Sequence, residues 1–151
     1  MAYQKFGLDR HTPAGAWVEA TLAESVAGIP YLLPYVRSWM RAVKRAERLG
    51  LYYGLELVPE PTNAHDENAI QIIGVVARKW PFMAPITERF HIGYVPALTA
   101  AELQTDIVSK GLRLGGELQS IYVEITGHID VKFVALAPPG HSFNERQAKR
   151  A

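Results

Sequence analysis

Gly54-Leu55-Glu56-Leu57-Val58-Pro59-Glu60-Pro61-Thr62-Asn63-Ala64-His65-Asp66-Glu67-Asn68-Ala69-Ile70 is the stretch on which the fold turns. Tyr52 to Val58, rich in aromatic and branched side chains, reads as a strand. Pro59 and Pro61 stop it and hold the chain extended, because a proline ring fixes φ and restricts the residue before it. Asn63 and Asp66 carry short polar side chains that accept backbone N–H groups in Asx-type turns. Asn68 opens the next strand, and Ile70, Ile72, Ile73, Val75 and Val76 carry it to Ala77. The pattern is strand, braced turn, strand.

Upstream, Trp17 to Leu22 reads as a first strand that continues through Val26 to Ile29, with a bend at Gly28. Residues 1–16, with Pro13, Gly15 and no periodicity, read as a loosely structured lead-in. Pro34 to Leu49 is a helix, with Pro34 in its first turn and Gly50 at its C′ position. Tyr35, Trp39, Ala42, Val43, Ala46 and Leu49 fall on one face. Arg37, Arg41, Lys44 and Arg48 stack on the other at steps of four, three and four. That stripe is either a solvated face or a line of phosphate contacts.

Downstream, Arg78 to Arg89 contains Pro81 and Pro85 and reads as a long connection. Trp80 and Phe82 within it are placed in the core, with an exposed tip as the other reading. Phe90 to Val95 is a short strand ended by Pro96, and Ala97 to Lys110 has helical composition before Gly111. Leu114 to Thr126 and Ile129 to Leu136 form a hairpin around Gly127-His128. Pro138-Pro139-Gly140 ends the domain, leaving residues 139–151 as a flexible tail. One domain over 17–138 follows, all-β to α+β: an antiparallel sheet of about six strands curled into a barrel, with two helices.

The quoted stretch resembles the signature of the HIRAN family: a strand, then Glu-Pro-x-Asn-x-(aromatic)-Asp-x-Asn-Ala-Ile, then a second strand. His91-Ile92-Gly93-Tyr94-Val95-Pro96 and Val26-Ala27-Gly28-Ile29-Pro30-Tyr31 are similar to two further family segments. The resemblance, which spans about Val18 to Leu136, implies an OB-like barrel that grips the 3′ end of single-stranded DNA in repair, replication or recombination. It puts Asp66 in the position that accepts a hydrogen bond from the terminal hydroxyl, and Tyr31, Tyr94 and His65 in positions that contact the last bases, with Asn68 bracing the loop. Stacking of this kind contributes about 1–3 kcal/mol per base. Three positions depart from the family: His65 replaces an aromatic, and Pro30 and Ala97 stand where other members carry basic residues. The resemblance also allows a helicase or translocase on a separate chain as a partner.

Composition bounds these expectations. The net charge is +1 and 48% of the residues are hydrophobic, so the chain lacks the strongly basic profile of many nucleic-acid binders. Cations gather between Arg37 and Arg48 and acids between Leu55 and Ala77, which polarises the molecule. There is no cysteine, which excludes disulfides and thiol catalysis and fits a cytoplasmic location. No run approaches the ~20 apolar residues of a membrane span. The sequence contains no phosphate-binding Gly-rich loop and no nucleophile elbow, so the expectation is a binding module without catalytic residues, metal or cofactor. Two other readings stand beside it. One is a protein-interaction module, marked by an exposed apolar patch near Trp80 and Phe82 and no electropositive groove beside Asp66. The other is a nuclease accessory with metal held around Asp66.

Overall fold

The computed structural model describes the backbone of Ala2–Lys5 and residues 12–150. Among the described residues eight strands form one antiparallel sheet: β1 (Ala2–Lys5), β2 (Val18–Glu19), β3 (Glu24–Ser25), β4 (Tyr53–Pro59), β5 (Ile70–Arg78), β6 (Ile86–Tyr94), β7 (Gly115–Val123) and β8 (Ile129–Ala137). Among the described residues the sheet is accompanied by the α-helices α1 (Leu33–Leu49), α2 (Ala97–Asp106) and α3 (Phe143–Arg150). The fold is therefore α+β with an antiparallel sheet, as the strand pattern predicts.

The sheet runs β2-β8-β7-β4-β5-β6, with β1 added beside β7 and β3 beside β8. The early part of β7 meets β4 at Leu55 and Gly116, and its later part pairs with β1 over Ser120–Val123. Irregularities at Ile72/Ile73 and at Leu118/Ser120 bend the long strands. The expected barrel is corrected here, because the strands do not close into one. Ala27 and Tyr94 form an isolated bridge between the segment after β3 and the far edge strand β6, exchanging N–H···O bonds of 2.8 Å in both directions. One bridged pair curls the sheet without supplying the continuous ladder that closure needs.

α1 lies across β4, β5 and β6 and buries Val36, Trp39, Ala42, Val43 and Ala46. Trp39 is fully buried over Gly74, where an added methyl carbon would sit 2.5 Å from the indole. Gly50 ends the helix at φ 70°, the left-handed conformation expected of it. Tyr35 and Leu49, expected on the apolar face, are exposed instead. Val36, Trp39 and Val43 define the buried seam, and Tyr35 lies one 100° step off it.

Four further expectations are revised. β6 begins at Ile86, so Ile86–Arg89 is strand rather than connection. A turn closed by Met83 N–H to the Trp80 carbonyl (3.2 Å) brings Phe82 to a fully exposed tip with φ 62°, so Trp80 and Phe82 are outside the core. Part of the lead-in is ordered, with Ala2–Lys5 pairing with β7, while residues 6–11 lie outside the described residues. The tail is also ordered. Ser142 Oγ accepts the Glu145 N–H at 3.2 Å and Glu145 Oε1 accepts the Ser142 N–H at 3.4 Å, a capping box that starts α3.

Candidate functional site

The Asx loop builds itself outward from Asn63. Asn63 Oδ1 accepts the N–H groups of His65 (2.9 Å) and Asp66 (3.1 Å), while its Nδ2 donates to Glu60 Oε1 at 2.6 Å. Asp66 Oδ1 accepts the Asn68 N–H at 2.9 Å. Backbone bonds from Glu60 N–H to the Ala69 carbonyl and from Ala69 N–H to the Asp66 carbonyl seat the loop across the ends of β4 and β5. Among the described residues Asp66 Oδ2 makes no hydrogen bond, so the loop fixes one oxygen and leaves the other available.

β6 delivers the second wall. Gly93 carries no side chain because Val26 and Ala27 press on it: an added methyl carbon would lie 2.3 Å from Val26 Cγ1 and 2.5 Å from the Ala27 carbonyl oxygen. That close approach makes the Ala27–Tyr94 bridge and turns the Tyr94 ring toward the loop. His91 stacks edge-on to Tyr94 at 4.9 Å between centroids, and its Nε2 donates to the Gly93 carbonyl at 3.0 Å. The Tyr94 hydroxyl donates to Glu60 Oε1 at 3.4 Å. Burial first, and then the Glu60 carboxylate, push the Tyr94 phenol up, with Asn63 acting in the opposite direction. Tyr94 therefore stays a neutral phenol at physiological pH.

These walls enclose an open cleft of about 350 Å³, lined by Ala27, Asn63, His65, Asp66, Ala69, Tyr94, Val95 and Ala97. All three stretches singled out in the sequence meet there: the Asx loop, the Gly-Tyr-Val-Pro segment and the Val26–Ile29 segment. Asp66, His65 and Tyr94 are at the cleft. Asn68 supports it through the backbone. Tyr31 is exposed on the 3-10 turn Ile29–Leu32 and is not among the lining residues. Arg37, Arg41, Lys44 and Arg48 are exposed on α1 and also lie outside the lining. None of the four pairs with a carboxylate among the described residues, whereas their neighbour Arg45 binds Glu88 at 2.8 Å.

Glu60 is the residue that sequence reading passed over. Its carboxylate receives Asn63, Tyr94 and the side-chain amide of Gln71, and so ties the loop to β5 and β6. The signal was present: an acid three residues before Asn63, held between two prolines. Chemically, the cleft offers an acceptor carboxylate, an aromatic ring and apolar walls, with no Lys or Arg in its lining. Such a site suits a flat group bearing a hydroxyl or amine donor and disfavours a phosphate within the cleft itself. Among the described residues no three His, Asp or Glu side chains gather as a metal ion requires, and no helix is long and apolar enough to cross a membrane. No family model, curated protein or solved structure matches the chain.

Proposed function

We propose that the chain is a HIRAN-type module that binds the 3′ end of single-stranded DNA, with the terminal nucleoside in the cleft and the preceding phosphates along α1. The observation that carries this reading is Asp66: one carboxylate oxygen is held by its own loop, the other accepts no hydrogen bond among the described residues, and the residue lines a cleft with no Lys or Arg. A terminal 3′-hydroxyl is a donor that such an oxygen accepts, and a 3′-phosphate is repelled by it. Tyr94 supplies a neutral ring beside the carboxylate, where His65 adds a second, exposed one. α1 supplies the backbone contacts. Its N-terminal end follows the turn packed against β6, and Arg45 near its other end reaches Glu88 early in β6, so the helix runs antiparallel to the strand. The unpaired stripe thus leads away from the Tyr94 end of β6, a strand that spans about 30 Å.

Fluorescence anisotropy with oligonucleotides ending in a 3′-hydroxyl or a 3′-phosphate tests the reading. Preference for the hydroxyl is expected, with at least a tenfold loss in Asp66→Ala, equivalent to about 1.4 kcal/mol. Asp66→Asn keeps an acceptor for the Asn68 N–H and separates loop integrity from charge. Equal affinity for both ends would remove Asp66 from the mechanism.

The exposed tip supports a second reading, a protein-interaction module. Trp80, Phe82 and Met83 are all exposed there, and a bulky residue at positive φ is a costly conformation of the kind kept at functional positions. If neither oligonucleotide binds, the tip becomes the primary candidate surface, and any catalytic reading of the cleft would still need a metal-dependent cleavage assay.

A further inference from the structure

The far end of α2 carries a separate pocket of about 100 Å³, lined by Asp106, Lys110, His141, Arg146, Lys149 and Arg150. Room for about three waters, at ~30 Å³ each, is also room for one small tetrahedral ion. Arg146 is the unusual member, because it is a guanidinium only 5% exposed. Its Nη2 donates to the Ala20 carbonyl at 2.6 Å, but among the described residues Nε and Nη1 have no hydrogen-bond acceptor. The nearest carboxylate oxygen, Asp106 Oδ2, is 3.7 Å from Nε, too far for a hydrogen bond, and it is already taken by Arg150 Nη2 at 2.5 Å. Arg150 also reaches Glu102 at 3.7 Å. Lys110 and Lys149 are exposed and pair with no acid among the described residues.

Four permanent cations therefore face the single lining carboxylate of Asp106. Glu102 offsets part of the Arg150 charge and the C-terminal end of α2 adds a partial negative charge of about one half, which still leaves a net positive charge at the pocket. Buried guanidinium groups are normally fully paired, so the donors of Arg146 left unfilled among the described residues are placed to take a further acceptor. We infer that this pocket binds a tetrahedral oxyanion of the phosphate class, held by Arg146 at its base and by Lys110, Lys149 and His141 at its rim. The inference is independent of the cleft reading. The cleft has an acidic acceptor and excludes phosphate, whereas this pocket, about 14 Å away along the ten residues of α2, has the opposite charge.

The test is an amide chemical-shift titration of the full chain with inorganic phosphate against chloride at equal ionic strength. Expected are saturable shifts confined to the amides around Lys110, His141 and α3, at least tenfold weaker in the double variant Lys110→Gln/Lys149→Gln. Both substituted positions are exposed, so the variant tests binding without disturbing the Arg146 anchor. Shifts that match those in chloride, or that persist unchanged in the double variant, would overturn the assignment. Competition then identifies the source of the anion. Displacement of phosphate by a 5′-phosphorylated oligonucleotide, but not by its 5′-hydroxyl counterpart, upholds the site as one for nucleic-acid ends. Retention of phosphate against both upholds it as a site for a free anion.

Discussion

At Gly93 the absence of a single methyl group decides whether the cleft exists. The 2.3 Å and 2.5 Å approaches from Val26 and Ala27 leave no room for a side chain, and the Ala27 carbonyl belongs to backbone that cannot rotate away. Gly93→Ala is expected to cost about 1–3 kcal/mol, the usual range for overpacking, read as a lower midpoint in urea. An unchanged midpoint would mean that the Ala27–Tyr94 bridge yields freely. Glu117 is a second residue whose surroundings oppose it. Burial first, then the charge of Glu19, raise its carboxyl, and the bond from Gln119 acts against that rise. A carboxyl raised in the folded state binds more protons than it does unfolded, so its contribution to stability falls as pH climbs from the ordinary glutamate range through the raised value. Glu117→Gln is therefore expected to stabilise the protein at pH 7 and to lose that advantage near pH 4. Thermal melts of both proteins across that range check the sign, and an advantage that grows toward pH 4 would contradict it.

The elements divide into those whose signals are local and those set by contact. α1 was legible because Pro34, Gly50 and a two-sided pattern all agree, and the β7–β8 hairpin because Gly127 sits at the turn, where it has φ 92°. The Asx loop was legible for the same reason: Asn63 and Asp66 satisfy backbone donors within three residues of themselves. The start of β6 was hidden by Pro81 and Pro85, since the Trp80–Met83 turn is tight enough for pairing to resume at once. α3 was missed although Ser142 and Glu145 have capping-box spacing, because its polar composition looks solvated and its anchor, Arg146, finds its partner 126 residues away. Distance in sequence also explains why the two walls of the cleft could be named and their meeting could not. The packing of α1 on β5 offers a direct check at this scale. Gly74→Ala should cost about 1–3 kcal/mol through contact with the Trp39 ring. Trp39→Phe removes the nearest ring edge together with a buried indole N–H that lacks a partner among the described residues. A double-mutant cycle should then show a favourable coupling of at least about 0.5 kcal/mol, and strict additivity would place the strain elsewhere.

Across the whole molecule, regions of opposite charge are kept apart. Asp66 and Glu60 sit at one end of β6 and α2, the exposed cations of α1 run along the outside, and the basic pocket closes the other end of α2. A net charge of +1 thus conceals surfaces of opposite sign that are suited to different parts of one ligand or to different ligands. α3 holds this arrangement together, because Arg146 ties the C-terminal segment to Ala20, beside β2, and Arg150 ties it to Asp106 at the end of α2. Ending the chain after Gly140 leaves the Ala20 carbonyl without this donor and Asp106 without its closest cation. A charged hydrogen bond of this kind contributes about 1.5–3 kcal/mol. At about 2–4 °C per kcal/mol for a chain of this size, the melting temperature should fall by roughly 3–12 °C. The oligonucleotide binding proposed for the cleft is expected to survive that truncation, since no residue of α3 lines the cleft. A melting temperature unchanged within a degree would show that α3 docks without stabilising the sheet. Loss of oligonucleotide binding with the fold intact would instead move the nucleic-acid site from the cleft to the basic pocket, and Asp66→Ala would then have no effect on what binding remains.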